Sequence, residues 1–306
     1  MIFMLRVGII GLGKLGSLHL RIYKEIKEIG SIYLVDIDEK LLQAHNEKNL
    51  LKNYRKLKNK VDLVSIATPT LTHFRIAKYF LKNKIPTFVE KPLTSTPVQA
   101  EKLLEISKKN KTLLFVGHVE RYNSAYLAVK KIIKNPLFIE CHRLSPYPHR
   151  SLDVSVVLDL MIHDLDIILY LLKDKIKRIE AKGVKVISQT EDIANARLVF
   201  NNGCVANITA SRISEKKERK IRIFMPKSYI SLDYAKQSVE IYKKLKTKII
   251  KKSLPITKEE PLKAEIEDFV NLVKRNIFNI EYAKKAKDAL LLACKIEKII
   301  KKSKSC

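Results

Sequence analysis

The chain has 306 residues and carries 60 Lys and Arg against 32 Asp and Glu, a formal charge of +28, with 46% hydrophobic and 30% charged residues. That length suits about two domains, and that apolar fraction can fill their cores, which excludes wholesale disorder. Four cysteines without CxxC spacing exclude the framework of a small secreted domain and fit a reduced, cytoplasmic compartment.

In chain order, the N-terminal run MIFMLRVGIIGLG lacks a basic n-region and reads as a first strand, LRVGII, not as a leader. A helix is predicted over Lys14–Ile29, a strand in SIYLVDID and a helix over Leu41–Lys48. Then come strand VDLVSIATP, helix His73–Lys82, strand PTFVEKP, helix Pro97–Asn110 and strand TLLFVGH. Short β-branched runs alternating with helices call for a parallel sheet covered on both faces, here a domain over residues 1–118.

Beyond residue 118 strands follow one another: Leu137–Leu144, Ile176–Ile187, Ala194–Phe200, Val205–Arg212, Lys220–Phe224, Tyr229–Asp233 and Ser238–Tyr242. One apolar helix around Val156–Leu172 interrupts them, and Pro261–Lys302 is helical by its apolar spacing. This predicts an α+β domain over residues 119–306 with an open mixed or antiparallel sheet. Within Val154–Leu172, Asp159, His163, Asp164 and Asp166 break the apolar run, so it is no membrane span.

The charge excess is mostly lysine spread over every predicted helix, alongside abundant Ile and Asn, and reads as a compositional bias on solvated surfaces. Its densest stretches, Lys216–Arg222, Lys243–Lys252 and Lys298–Lys304, lack interleaved aromatic residues. Neither nucleic acid nor a membrane is expected as a partner.

Against that background the glycines stand out: four of eight fall between Gly8 and Gly16. Gly11, Gly13 and Gly16, with Lys14 and Leu15, form a GxGxxG between a predicted strand and a predicted helix. The first glycine makes the tight turn, the second admits a pyrophosphate, and the third lets helix and strand pack closely. The helix N-terminus then offers unpaired N–H groups to the phosphates. Asp36, at the end of strand two, suits the ribose hydroxyls and would repel a 2′-phosphate, which favours NAD over NADP, although Lys40 lies nearby.

Glu90-Lys91-Pro92 closes strand TFVEKP at its C-terminal end, the edge that lines the ligand site of open α/β sheets. A lysine there can be partly desolvated and suits proton transfer or polarisation of a hydroxyl. In VVLDLMIHDLDII, Asp159 and His163 are four apart, so a carboxylate can orient an imidazole one turn away. Asp164 and Asp166 read as satisfying local polar partners.

With glycine loop, EKP and D-x-x-x-H in this order, the chain resembles the Gfo/Idh/MocA family of NAD(P)-dependent sugar oxidoreductases over essentially its whole length. The resemblance implies a Rossmann domain followed by an α+β domain whose open sheet mediates homo-oligomerisation. It implies hydride transfer from a sugar carbinol to nicotinamide, with catalytic residues matching Lys91, Asp159 and His163. Lys91-Pro92 matches a bond that is often cis in the family. Thr68, Pro69 and His73 match the loop flanking the nicotinamide, and Glu90 and Lys91 join the cofactor set. Where the family frequently has glycines before D-x-x-x-H, this chain has DVSVV.

GHVERYNSAY, RLSPYPHRSLDVSVVLDLMIHDLD and ASRISEKKERKIRIF resemble the branch that oxidises the 3-hydroxyl of UDP-N-acetylglucosamine, whose product feeds an aminotransferase on the way to amide-linked lipid A. A dehydrogenase of a free sugar or polyol such as inositol or glucose, and a non-catalytic dinucleotide-sensing regulator, are the alternatives. His118, Arg121 and Asn123, after strand TLLFVG, are candidate substrate contacts. Arg143, Arg150 and Arg212 are scarce guanidinium groups in a lysine-rich chain and are candidates for a diphosphate. His142 and His149 lack metal-ligand spacing, and no metal is expected.

Overall fold

The computed structural model describes residues 4–147 and 154–302. Its first sheet is built around β1 (Leu5–Ile10), whose Val7 and Ile9 are wholly buried. A strand shielded on both faces can take apolar residues at every position, which is why this run does not alternate.

β2 (Ile29–Val35), the short β3 (Leu50–Leu51), β4 (Leu63–Ile66), β5 (Thr87–Glu90) and β6 (Leu114–Gly117) complete a six-stranded sheet. Its order is β3-β2-β1-β4-β5-β6 and every pairing is parallel. The order reverses at β1, so the C-terminal ends of β1 and β4 flank the switch point where such sheets bind ligands. The crossovers are α1 (Lys14–Glu25), α2 (Glu39–Gln43), α3 (Thr70–Lys82) and α4 (Pro97–Asn110). This is a Rossmann fold. The helix predicted to run to Ile29 ends at Glu25, because Ile26 is already extended. The helix predicted over Leu41–Lys48 is a single capped turn ending at Ala44.

After α5 (Ser124–Val129) come β7 (Phe138–Leu144), a π-helical turn (Val157–Met161) and α6 (Ile162–Leu172). β8 (Ile176–Val184), β9 (Ile193–Phe200), β10 (Val205–Ser211), β11 (Glu218–Met225), β12 (Ser228–Asp233), β13 (Ser238–Leu245) and β14 (Lys248–Ser253) follow. The chain closes with α7 (Pro261–Lys274) and α8 (Glu281–Lys302). The eight-stranded order is β14-β13-β12-β11-β7-β10-β9-β8; β7 and β10 are parallel and all other pairs antiparallel. One face alternates into a core of Ile139, Cys141, Ile221, Ile223 and Ile230 with Leu165 and Ile168 of α6. The sheet is therefore mixed, and the fold is α/β followed by α+β.

The chain forms two compact units that divide between His118 and Val119. Leu262–Lys287, which the sequence reading places in the second domain, belongs to the first unit, and Asp288 onward to the second. The reason is aromatic packing. Phe269 of α7 sits 5.6 Å and 5.5 Å from Phe88 and Phe115, and Tyr282 of α8 stacks on Phe115 at 4.5 Å. Among the described residues no helix is long and apolar enough to cross a membrane.

Candidate active site

The turn after β1 needs its glycines for three different reasons. Gly11 has a φ of +91°, and a Cβ there would stand 2.7 Å from the Ala67 carbonyl oxygen. At Gly16 a Cβ would stand 1.8 Å from the Gly11 carbonyl oxygen, so only hydrogen lets α1 pack against the turn. At Gly13 a Cβ would meet nothing within 4 Å. Internal packing therefore does not require that glycine, whereas a ligand brought close to the backbone would.

Gly13 is also the N-cap of α1 and supplies no side-chain cap, and the first turn holds no acid. The helix thus presents uncapped N–H groups and its positive dipole end. Lys14 and Leu15 occupy that first turn. Leu12 N–H donates to Asp36 Oδ2 at 2.7 Å, and Asp38 N–H donates to Asp36 Oδ1 at 2.9 Å. The carboxylate at the end of β2 is thereby fixed beside the turn, with lone pairs left for further donors. An open cradle, an uncapped helix and a fixed acid fit an adenine dinucleotide.

Beyond β4, Thr68 donates its hydroxyl to Thr72 Oγ1 at 2.7 Å, and Thr72 donates to the Pro69 carbonyl at 2.8 Å. His73, 1% exposed, stands between two carbonyls, with Nε2 2.8 Å from Thr68 O and Nδ1 3.0 Å from Pro92 O. Burial pushes its pKa down, against the pull of those carbonyls and of the Glu90 charge. His73 thus joins the loop after β4 to the turn after β5, where Lys91-Pro92 is cis.

Glu90 ends β5 almost wholly buried. Its Oε1 lies 2.9 Å from His19 Nε2, and its Oε2 accepts the Lys91 N–H at 3.3 Å. His19 Nδ1 is 2.7 Å from Ser65 Oγ. Burial raises the Glu90 pKa, but the hydrogen bond and charge of His19, with Lys91, outweigh it and hold the carboxyl below its usual value. An ionised Glu90 accepts from the Nε2–H of His19. The sequence reading missed His19 and Ser65. The available signal was a histidine three residues after Gly16, on the apolar face of α1. Lys91 itself is half-buried.

In the second unit, Asp159 lies in the π-helical turn and His163 in the first turn of α6, both half-buried. Four residues still bring the two to one side of the segment, but a π turn is wider than the α-helix expected here. Such turns are frequent at functional sites.

Other expectations need correction. Arg143 and Arg212 are not available for a diphosphate. Arg143 is buried and forks onto Asp164, with Nε–H and Nη2–H donating to Oδ2 and Oδ1 at 2.8 and 2.9 Å, while Nη1–H donates to Glu120 at 2.8 Å. Arg212 is fully buried and donates to Asp192 at 2.9 Å and to the Val154 carbonyl at 2.9 Å. Their value lies in offsetting buried carboxylates. Arg121 forks onto Asp166 and lies over the Tyr170 ring at 5.4 Å. Asn123 caps α5 and donates to the Tyr234 carbonyl at 3.0 Å. His118 is buried at the end of the first unit. Arg150 and His149 lie outside the described residues.

A parallel sheet with this turn, this acid and this uncapped helix defines an NAD-binding oxidoreductase domain. Residues 5–118 match the oxidoreductase family model with an NAD-binding Rossmann fold, and residues 133–231 match the GFO/IDH/MocA C-terminal domain. The chain belongs to the Gfo/Idh/MocA family. It is 32% identical over 277 residues, 88% of each chain, to UDP-N-acetylglucosamine 3-dehydrogenase of Acidithiobacillus ferrooxidans. It is 26% identical over 259 residues, 78% of each chain, to myo-inositol 2-dehydrogenase of Thermotoga maritima. The solved structure of the Acidithiobacillus ferrooxidans enzyme matches with a TM-score of 0.89 at 30% identity, covering 97% of both chains.

Proposed function

We propose that the chain oxidises a sugar hydroxyl to a ketone, and that its substrate is a nucleotide sugar oxidised at the 3-hydroxyl, UDP-N-acetylglucosamine. NAD, when bound, supplies the hydride acceptor. The glycine turn and the α1 N-terminus hold its phosphates and Asp36 its adenosine ribose, while Thr68, Pro69, His73, Glu90 and Lys91 shape the nicotinamide end. His163 takes the proton from the reacting hydroxyl, Asp159 orients His163, and Lys91 stabilises the developing alkoxide.

The observation that carries this reading is the Gly13 cradle beside Asp36, together with 32% identity to a UDP-N-acetylglucosamine 3-dehydrogenase. Within this reading the 3-keto product would feed an amino-sugar-forming step on the way to lipid A. A free polyol is the second reading, favoured by the likeness to a myo-inositol 2-dehydrogenase.

Free thiols at Cys141, Cys204 and Cys294 support a reducing, cytoplasmic setting. The sheet face opposite the core carries an aromatic row. Phe138, Phe224, Tyr229 and Tyr242 follow one another at ring distances of 5.7, 5.1 and 4.3 Å, which supports assembly of like copies through that face.

The test is NADH formation with UDP-N-acetylglucosamine against N-acetylglucosamine, glucose and myo-inositol, repeated with Lys91→Ala. Turnover of the nucleotide sugar and a loss of about 10²–10⁴-fold in the variant support the reading. Turnover of myo-inositol alone selects the second reading, and an undiminished variant sinks the role of Lys91.

A further inference from the structure

Arg219 and Arg143 face each other. They are partners in the antiparallel register of β11 and β7, so both side chains stand on the same face of the sheet. Like charges opposite one another destabilise a sheet unless acids offset them. The acids whose charge reaches Arg219 are Glu120, Asp164 and Asp159, and the first two are engaged by Arg143. Arg219 is half-buried, and among the described residues no carboxylate lies within ion-pair distance of its guanidinium. Burial and the Arg143 charge push its pKa down, against the pull of Glu120, Asp164 and Asp159.

A second polar group stands in the same place without a partner. Tyr234 N–H donates to the Arg219 carbonyl at 2.8 Å, and the Tyr234 ring lies 5.5 Å from the Arg143 guanidinium carbon. Its phenol oxygen is buried without a hydrogen-bond partner among the described residues. Polar groups placed this way are unfavourable in the protein alone and become favourable when a ligand supplies the missing charge and acceptor.

We propose that Arg219 is a substrate-binding residue that holds the diphosphate of a nucleotide sugar and discriminates against a neutral polyol. Its planar fork matches phosphate oxygens, and the charge of Asp159, in the proposed catalytic turn, reaches it. This inference rests on the nucleotide-sugar reading. It also moves the diphosphate-binding role from Arg143 and Arg212 to an arginine not among the sequence candidates.

The decisive experiment titrates UDP into wild type, Arg219→Met and Arg222→Gln by calorimetry, with thermal melts and kinetics alongside. Arg222 is exposed on the opposite face and pairs with Glu140, so it serves as the charge control. Arg219→Met is expected to bind UDP about 10- to 100-fold more weakly. Its KM for UDP-N-acetylglucosamine should rise by the same factor, with KM for NAD unchanged within about twofold. Because the substitution removes one of two opposed cations, its melting temperature should not fall. Arg222→Gln should bind UDP as wild type does.

An Arg219→Met protein with wild-type UDP affinity overturns the proposal while leaving the nucleotide-sugar reading intact. Loss of folding in that variant marks Arg219 as structural and overturns it as well. Wild type that binds neither UDP nor UDP-N-acetylglucosamine removes the reading itself, and the proposal with it.

Discussion

His19 Nε2 lies 2.9 Å from Glu90 Oε1, joining the helix behind the glycine turn to the strand end that carries Lys91. The His19 side chain is wholly buried and that of Glu90 nearly so, and each is a principal polar partner of the other. Replacing His19 by Leu leaves Glu90 buried with its main downward pull removed, at a cost of about 1–3 kcal/mol near neutral pH. The folded pKa of Glu90 is depressed in wild type, so its contribution is present above the unfolded value of about 4.3 and fades as pH falls through the folded pKa. In His19→Leu, burial raises that pKa and acid relieves the penalty. The stability gap between the two proteins should therefore narrow below about pH 5 in urea titrations. A constant gap would show that Glu90 is not the group affected.

Gly13 and Gly16 should separate cofactor binding from folding. Ala at position 13 would extend into open space, so its melting temperature should stay near wild type while NAD affinity falls. Ala at position 16 would drive a Cβ to 1.8 Å from the Gly11 carbonyl, so the turn or the helix must move. That variant should lose several degrees or fail to fold. Calorimetric NAD titration beside thermal melts checks both, and equal effects on the two properties would refute the distinction.

The parallel sheet was legible because strands buried on both faces leave unbroken apolar runs, as in LRVGII and TFVE. β14 was not legible, because all six of its residues are exposed and no buried face imposes a period on its sequence. The π turn was not legible either, since α and π segments share the same residue types. Arg143 and Arg212 were misassigned because their acids lie 21 and 20 residues away in sequence, and only the fold brings them together. Arg219 could have been found. Arg219, Ile221 and Ile223 alternate with Lys220 and Arg222, and period two places that arginine on the apolar face.

Asp36 should set the choice of cofactor. Its carboxylate is fixed by the Leu12 and Asp38 amides and would stand against a 2′-phosphate. Asp36→Ala should raise KM for NAD by about 10- to 100-fold, the range of a charge-assisted hydrogen bond. KM for NADP should fall or stay level, because the repulsion is removed. Initial rates with both cofactors decide it, and an unchanged preference ratio would show that Asp36 only supports the turn.

Arg212 and Asp192 should govern folding of the second unit and its acid limit. Both are wholly buried, and the Asp192 carboxylate also accepts the N–H groups of Val186, Ile187 and Ser188 at 2.7–2.9 Å. Burial alone would raise its pKa, but these donors hold the carboxyl far below its usual range. Arg212→Ala leaves a buried carboxylate without its counter-ion, which costs about 3–5 kcal/mol. A depressed pKa stabilises above the unfolded value of about 3.9 and ceases to do so as pH falls through the folded one. Asp192→Asn should accordingly be less stable at pH 7 and show a shallower loss of stability below about pH 4 than wild type. Urea midpoints across that range measure both effects. An Arg212→Ala protein with wild-type stability and a raised KM for sugar would restore the ligand-binding role expected from sequence.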